Sequence, residues 1–233
     1  MSATELKAAL SLALVFFLRM LPLFIILPIL SLTESTYMHA TPQLLGLALG
    51  IYGLTQAILQ IPFGMLSDRW GRKPIIVLGL IIFGIGSLIA AMADSIYGLL
   101  IGRALQGAGA VAAAIMALAA DLTEEESRTK IMAFIGISIG AAFSIAFILG
   151  PILYEYIGID GIFFLSTCFS IIAIIVLLTM VPNPAKKNER ANKLSSINVK
   201  RVIFNPSLIK LNISIFSSHL ILMANFVVIP ITL

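Results

Sequence analysis

The chain has 233 residues, of which 60% are hydrophobic and only 11% charged, and its mean hydropathy is +1.08. A soluble domain carries about a quarter charged residues, so this balance excludes one and points to an all-α integral membrane protein. The net charge of +4 does not indicate a nucleic-acid face, because the basic residues sit in short segments between apolar runs, as membrane topology dictates.

Crossing hydrocarbon takes about 20 residues of helix. Seven apolar stretches reach that length: 8–32, 44–66, 75–93, 97–120, 131–153, 160–181 and 211–233. They are continuous and rich in Leu, Ile and Ala, unlike the alternating strands of a membrane barrel. Thirteen of the fifteen Lys and Arg residues lie on the N-terminal tail or in the connections after the second, fourth and sixth stretches. The connections 33–43, 94–96 and 154–159 hold none. The positive-inside rule therefore predicts a cytoplasmic N-terminus and cytoplasmic even-numbered connections. The first stretch is too long for a cleavable leader and contains Arg19, so it is expected to remain as an anchor.

Arg19 lies about 16 Å into the first stretch, near the membrane midplane. At that depth it either faces a wet cavity or pairs within the bundle, and it is a candidate for contact with an anion or substrate. In the second stretch Tyr52, Gln56 and Gln60 recur every four residues and share one helix face. Interhelical hydrogen bonding and cavity lining are both open to the two amides.

The second stretch closes on GMLSDRWGRKP (64–74), where Asp68, Arg69, Arg72 and Lys73 fall within six positions. Topology accounts for the basic residues but not for Asp68, which needs a cation or a helix N-terminus as partner. Gly64 suggests close approach of a neighbouring helix, Gly71 a positive φ, and Pro74 the first turn of the next helix.

The fourth stretch contains Gly102-Arg103-Ala104-Leu105-Gln106-Gly107. An arginine within a span costs on the order of 3 kcal/mol. This one lies about 9 Å from the outer boundary, so snorkelling competes with an internal role. Gln106 is a further amide within a span. Glu124, Glu125 and Glu126 read as a solvated loop and the start of a helix.

The fifth stretch carries Gly136-x-x-x-Gly140, a close-packing motif, and then Gly150-Pro151. The lone Cys168 excludes an intramolecular disulfide and reads as packing. Segment 182–210 is basic and flanked by prolines; it reads as a linker in which 197–204 could form a short interfacial helix. The seventh stretch ends at Leu233 with no polar tail, so the chain is expected to be cut short there.

No acid lies at membrane depth, and His219 reads as packing or hydrogen-bonded rather than as a proton carrier. There is no Walker sequence and no His/Cys cluster. Neither ATP-driven transport nor a metal, cofactor or enzymatic activity is expected.

The run Gly64-x-Leu66-Ser67-Asp68-Arg69-x-Gly71-Arg72-Lys73-Pro74 resembles the signature loop between helices two and three of the major facilitator superfamily. Within it, GIYGLTQAILQIPFG (50–64), GRALQGAGA (102–110) and MAFIGIS (132–138) are similar to the YajR-type drug/proton antiporters. The resemblance implies a twelve-helix fold in two six-helix halves around a central cavity, moving by alternating access. This chain would supply the N-terminal bundle (1–182), the cytoplasmic central linker (183–210) and the first helix of a missing C-terminal half (211–233). Asp68 would contact the N-terminal end of helix eleven, and Arg72 would pair with an acid at the end of helix four, matched by Asp121. Together with Gly64, Arg69, Gly71 and Lys73 they would form the latch of one state.

By the same resemblance Arg103 would take part in proton coupling, with Arg19 its counterpart if the two three-helix units are inverted repeats. Gly150-Pro151 resembles the core of an antiporter signature, from which Ala146, Tyr154 and Glu155 depart. The implied function is secondary transport across a bacterial inner membrane, in the form of proton-coupled efflux of drugs or small molecules. The implied partners are a small-molecule substrate, protons, lipid and the absent half. The alternatives are a non-functional remnant of a transporter and a complete seven-helix receptor. A retinal protein would want a lysine in 211–233, which has none, and receptors place the N-terminus outside.

Overall fold

The computed structural model describes residues 1–30, 33–183 and 205–232, leaving aside the side chains at 223 and beyond 225. The chain divides into two compact units, Met1–Ala185 and Lys186–Leu233. The first contains α1 (Ala3–Leu30), α2 (Pro42–Trp70), α3 (Arg72–Ala91), α4 (Ile96–Ala108), α5 (Ala112–Asp121), a 3₁₀ turn (Glu125–Ser127) and α6 (Arg128–Thr179).

Local chemistry sets most of these ends. Thr41 caps α2 by accepting from the Leu44 amide at 3.3 Å, with Pro42 following at the first helical position. Ser95 caps α4 through the Gly98 amide at 3.4 Å. Gly71 alone separates α2 from α3, at φ 96° and ψ 151°, a backbone that a Cβ would strain.

Two predicted boundaries differ. The stretch 97–120, expected as one helix, is interrupted at 109–111 into α4 and α5. The expected connection 154–159 is instead helical except at Gly158, where φ 66° and ψ −177° break the backbone of α6. The arms 128–157 and 159–179 fold back there. Arg72 on α3 reaches Asp121, just before the first arm, at 3.1 Å, and Lys73 donates to the Val181 carbonyl beyond the second. Both ends of α6 therefore lie at the end of the bundle where α3 begins.

α1 packs along α6, α3 lies between α4 and α6, and α2 packs on α4. The core has layers. Leu12, Phe16, Ile76, Leu80, Leu118, Ile135 and Leu177 fill one end; Ile26, Leu45, Leu99, Ile162 and Phe163 fill the other. A thin layer of Leu23, Tyr52 and Phe83 is a separate cluster. Glu5 Oε1 closes the first end by accepting from the Glu124 amide at 3.0 Å. The other is closed by Met38, whose amide donates to Asp94 at 2.9 Å while its carbonyl accepts from Ile96 at 3.1 Å.

Large apolar side chains point outward, Ile61 and Ile148 each at 68% exposure. In hydrocarbon that costs nothing, and helices satisfy their own backbone there.

In the second unit, α7 (Pro206–Thr232) starts where Asn205 Oδ1 accepts from the Ser207 amide at 3.0 Å. His219 Nδ1 lies 3.0 Å from the Ile215 carbonyl, one turn back. Most of the predicted linker lies outside the described residues. That includes the basic residues from Lys186 to Arg201 and the expected interfacial helix at 197–204.

Candidate functional site

Arg103 on α4 is fully buried. Its Nε donates to the Ala48 carbonyl of α2 at 3.2 Å and its Nη1 to Gln106 Oε1 at 2.7 Å. Gln106 Nε2 donates in turn to Ser87 Oγ of α3 at 2.7 Å, and Ser87 to the Phe83 carbonyl at 2.8 Å. The guanidinium also sits over the Tyr52 ring, 4.6 Å from its centroid, within cation–π range. A Cβ on Gly102 would come 2.7 Å from the Gly86 carbonyl, so small residues let α4 approach α3 closely enough for Gln106 to reach Ser87. Snorkelling is thereby corrected: Arg103 turns inward.

Arg19, at 1% exposure, crosses from α1 to the interruption of the fourth span. Its Nη2 donates to the Gly109 carbonyl at 2.7 Å, and its guanidinium lies 5.6 Å from the Phe83 centroid. Of the two settings predicted for it, the structure shows pairing within the bundle. Among the described residues neither Arg19 nor Arg103 pairs with a carboxylate. Carbonyl dipoles and aromatic faces take that place.

The loop cluster is built differently. Arg72 pairs with Asp68 Oδ1 at 2.5 Å, with Asp121 Oδ2 at 3.1 Å and with Ser67 Oγ at 2.7 Å. Ser67 donates to the Gly64 carbonyl at 2.7 Å. One guanidinium thus ties the end of α2 to the end of α5 from the first turn of α3. Asp68 and Arg69 are exposed, while Arg72 and Lys73 are half-buried.

Other expected residues stand apart. Tyr52 is buried beneath Arg103, but Gln56 and Gln60 are half-buried and neither makes a side-chain hydrogen bond among the described residues. Interhelical bonding by these two amides is therefore not what the bundle uses. Gly64 would place a Cβ 3.7 Å from the Ala113 Cβ, ordinary contact rather than the close approach expected. Gly136 and Gly140 have nothing within 4 Å of a Cβ, which corrects the close-packing reading for this unit. Gly150 is buried against Ile25 and Ile29 of α1, and Pro151 is exposed within α6.

Sequence reasoning missed Ser87, Ala48, Gly109 and the Lys73–Val181 contact. Three of these four partners are backbone carbonyls, which no residue type announces. It also passed over Tyr37 at the opposite end, whose buried hydroxyl has no hydrogen-bond partner among the described residues. Burial first, and then the Asp160 charge, push that phenol up from its ordinary value.

The pattern of the Major Facilitator Superfamily matches residues 12–233. The chain belongs to this superfamily. It is 47% identical to the inner membrane transport protein YajR of Escherichia coli K12, over 99% of this chain and 51% of that protein. It is 30% identical to the class B tetracycline resistance protein of E. coli, over 66% of this chain and 38% of that one. A crystal structure of a bacterial homolog of the human lysosomal transporter Spinster, inward-facing and occupied, superposes with a TM-score of 0.68. At 18% identity, over 84% of this chain and 48% of that one, the likeness shows the fold alone. The chain spans about half the length of the curated relatives it matches, between 51% and 60% of the first four. Within the superfamily it is a multi-pass membrane protein with the fold of transporters rather than of enzymes.

Proposed function

We propose that this chain supplies the N-terminal six-helix half of a secondary transporter that exports drugs or other small molecules at the expense of a proton gradient. The N-terminus and the Arg72 cluster would lie on the cytoplasmic side. The observation that carries the reading is the Arg72 clasp, which joins acids on two different spans at one end of the bundle. Ion pairs that keep part of their surface in water, as these do, are modest in strength and can be exchanged for other partners, as a gate that opens once per cycle requires. The names of two relatives, a tetracycline resistance protein and a multidrug resistance protein of Bacillus subtilis, favour efflux and a drug-like substrate. In this reading 183–210 is the linker, 211–233 opens the second half, and Arg19 and Arg103 serve coupling at mid-depth.

The test is proton-driven dye efflux from vesicles holding the full-length protein that carries this chain. Asp68→Asn is expected to cut efflux by about tenfold, the scale of a 1.4 kcal/mol bias on a conformational equilibrium, with membrane insertion intact. Unchanged efflux would remove the clasp from the mechanism. Residues 1–233 alone are expected to carry out no transport, and dye efflux from vesicles holding only them would refute the need for a second half.

A further inference from the structure

The interruption of the fourth span presents more hydrogen-bond donors than the protein has acceptors for. Residues 109–111 are non-helical, so α5 begins inside the apolar core, where Val111, Ala114 and Ile115 are buried. The first amides of any helix lack partners within it, and capping side chains normally supply them. Here the cap position is Val111, which offers no side-chain acceptor. Among the described residues nothing accepts from the N–H groups of Val111, Ala112, Ala113 or Ala114. In hydrocarbon, each such group costs several kcal/mol unless something satisfies it.

Arg19 makes the same demand independently. Its Nη2 is committed to Gly109, two residues before the cap, but among the described residues its Nε and Nη1 have no partner although the side chain is 1% exposed. Among the described residues the unsatisfied donors here outnumber the unsatisfied acceptors, which are the Gly107 and Ala110 carbonyls, and the guanidinium charge has no carboxylate beside it. A cation is repelled by such a site. Water can accept some of the hydrogens but leaves the charge uncompensated. An anion answers both, and the partial positive charge at the start of α5 adds to the attraction. Ala108, Ala112 and Ala113 around the break are half-buried rather than sealed, which leaves a way in. Arg103 also keeps a buried Nη2 with no partner among the described residues, but it donates to two acceptors and has no helix start next to it.

We propose that the break between α4 and α5 binds a small anion that only accepts hydrogen bonds, either a halide or the carboxylate of a small molecule. Arg19 and the amides of 111–114 would hold it. The site does not depend on the transport reading, because binding is measured without a gradient.

The experiment uses the purified 233-residue chain in detergent with methanesulfonate as the bulk anion, titrated with chloride and followed by ³⁵Cl line width. The wild-type chain is expected to show a saturable excess width. Arg19→Gln should weaken the apparent affinity by roughly tenfold or more, as loss of a hydrogen bond to a charged group does, and Arg19→Lys should retain part of it. Benzoate that removes the excess width identifies a carboxylate-accepting site; benzoate without effect, with chloride still bound, identifies a halide site. Absence of excess width, or equal width in wild type and a folded Arg19→Gln, overturns the proposal. Should Arg19→Gln fail to fold, amide exchange in the wild type decides. Chloride is expected to slow exchange at 111–114 relative to methanesulfonate, and equal exchange in the two salts overturns the site.

Discussion

The protein handles its arginines in two ways. At the end of the bundle where α3 begins, Arg72 is half-buried and bound to two carboxylates. In the interior, Arg19 and Arg103 are wholly buried, bound to carbonyls and an amide and stacked on Phe83 and Tyr52. Water explains the contrast. A carboxylate near water costs little to keep charged, and its bond to Arg72 is exchangeable. In hydrocarbon a second buried charge adds a desolvation penalty that the pair must recover, whereas backbone carbonyls already lie in place.

The interior arrangement depends on close backbone approach, so the largest expected effect is Gly102→Val. Its side chain would overlap the Gly86 carbonyl and the Ala90 amide, costing about 3 kcal/mol in thermal unfolding in detergent. An unchanged midpoint would show that the contact between α3 and α4 is not what sets the layer. Next comes Gln106→Leu, which leaves Arg103 Nη1 without its acceptor and should cost about 2 kcal/mol. Gln106→Glu keeps an acceptor for Arg103 but adds a second buried charge and cannot donate to Ser87, so it is expected to recover only part of that loss; full recovery would mean that the hydrogen bond to Arg103, not neutrality, matters at this depth.

Gly71→Ala tests the turn that presents the clasp. A Cβ at φ 96° should cost about 1–2 kcal/mol, read as a lower unfolding temperature. Arg72→Gln is expected to cost less, at most about 1 kcal/mol, and the cost should shrink toward zero near 1 M salt. The loss from Gln106→Leu should not respond to salt, and equal salt sensitivity of the two variants would abolish the distinction between the regions. Smallest of all, Gly140→Ala meets open space and should change stability by less than about 0.5 kcal/mol in the isolated chain. A larger loss would place a packing partner against that face.

These variants also mark what could be read in advance. The long apolar runs and the positions of Lys and Arg carried the spans, because hydrocarbon admits few ways to house a chain. The pairing of Arg72 with an acid ending the fourth span came only through the family likeness, since Arg72 and Asp121 are 49 positions apart. The reading of Tyr52, Gln56 and Gln60 as one functional stripe followed from helical spacing, yet spacing does not say which member of a face meets a neighbour. Tyr52 does, beneath Arg103, whereas Gln60 buries its Oε1 with no hydrogen bond among the described residues. Gly136-x-x-x-Gly140 misled for a related reason. The motif marks a surface smooth enough for close contact without saying whether the partner lies in the same bundle.

By itself the sequence determined the membrane class, the all-helical architecture and the depth of Arg19, where a buried charge needs compensation. Each follows from a one-dimensional quantity, the cost of moving a residue from water to hydrocarbon. The tertiary structure alone decided how the buried arginines are compensated, where the fourth span breaks and that α6 folds back at Gly158. Those outcomes rest on carbonyls and amides that every residue carries and on aromatic faces whose direction depends on the neighbouring helix. Such groups acquire a role only when packing brings them within about 3 Å of a donor.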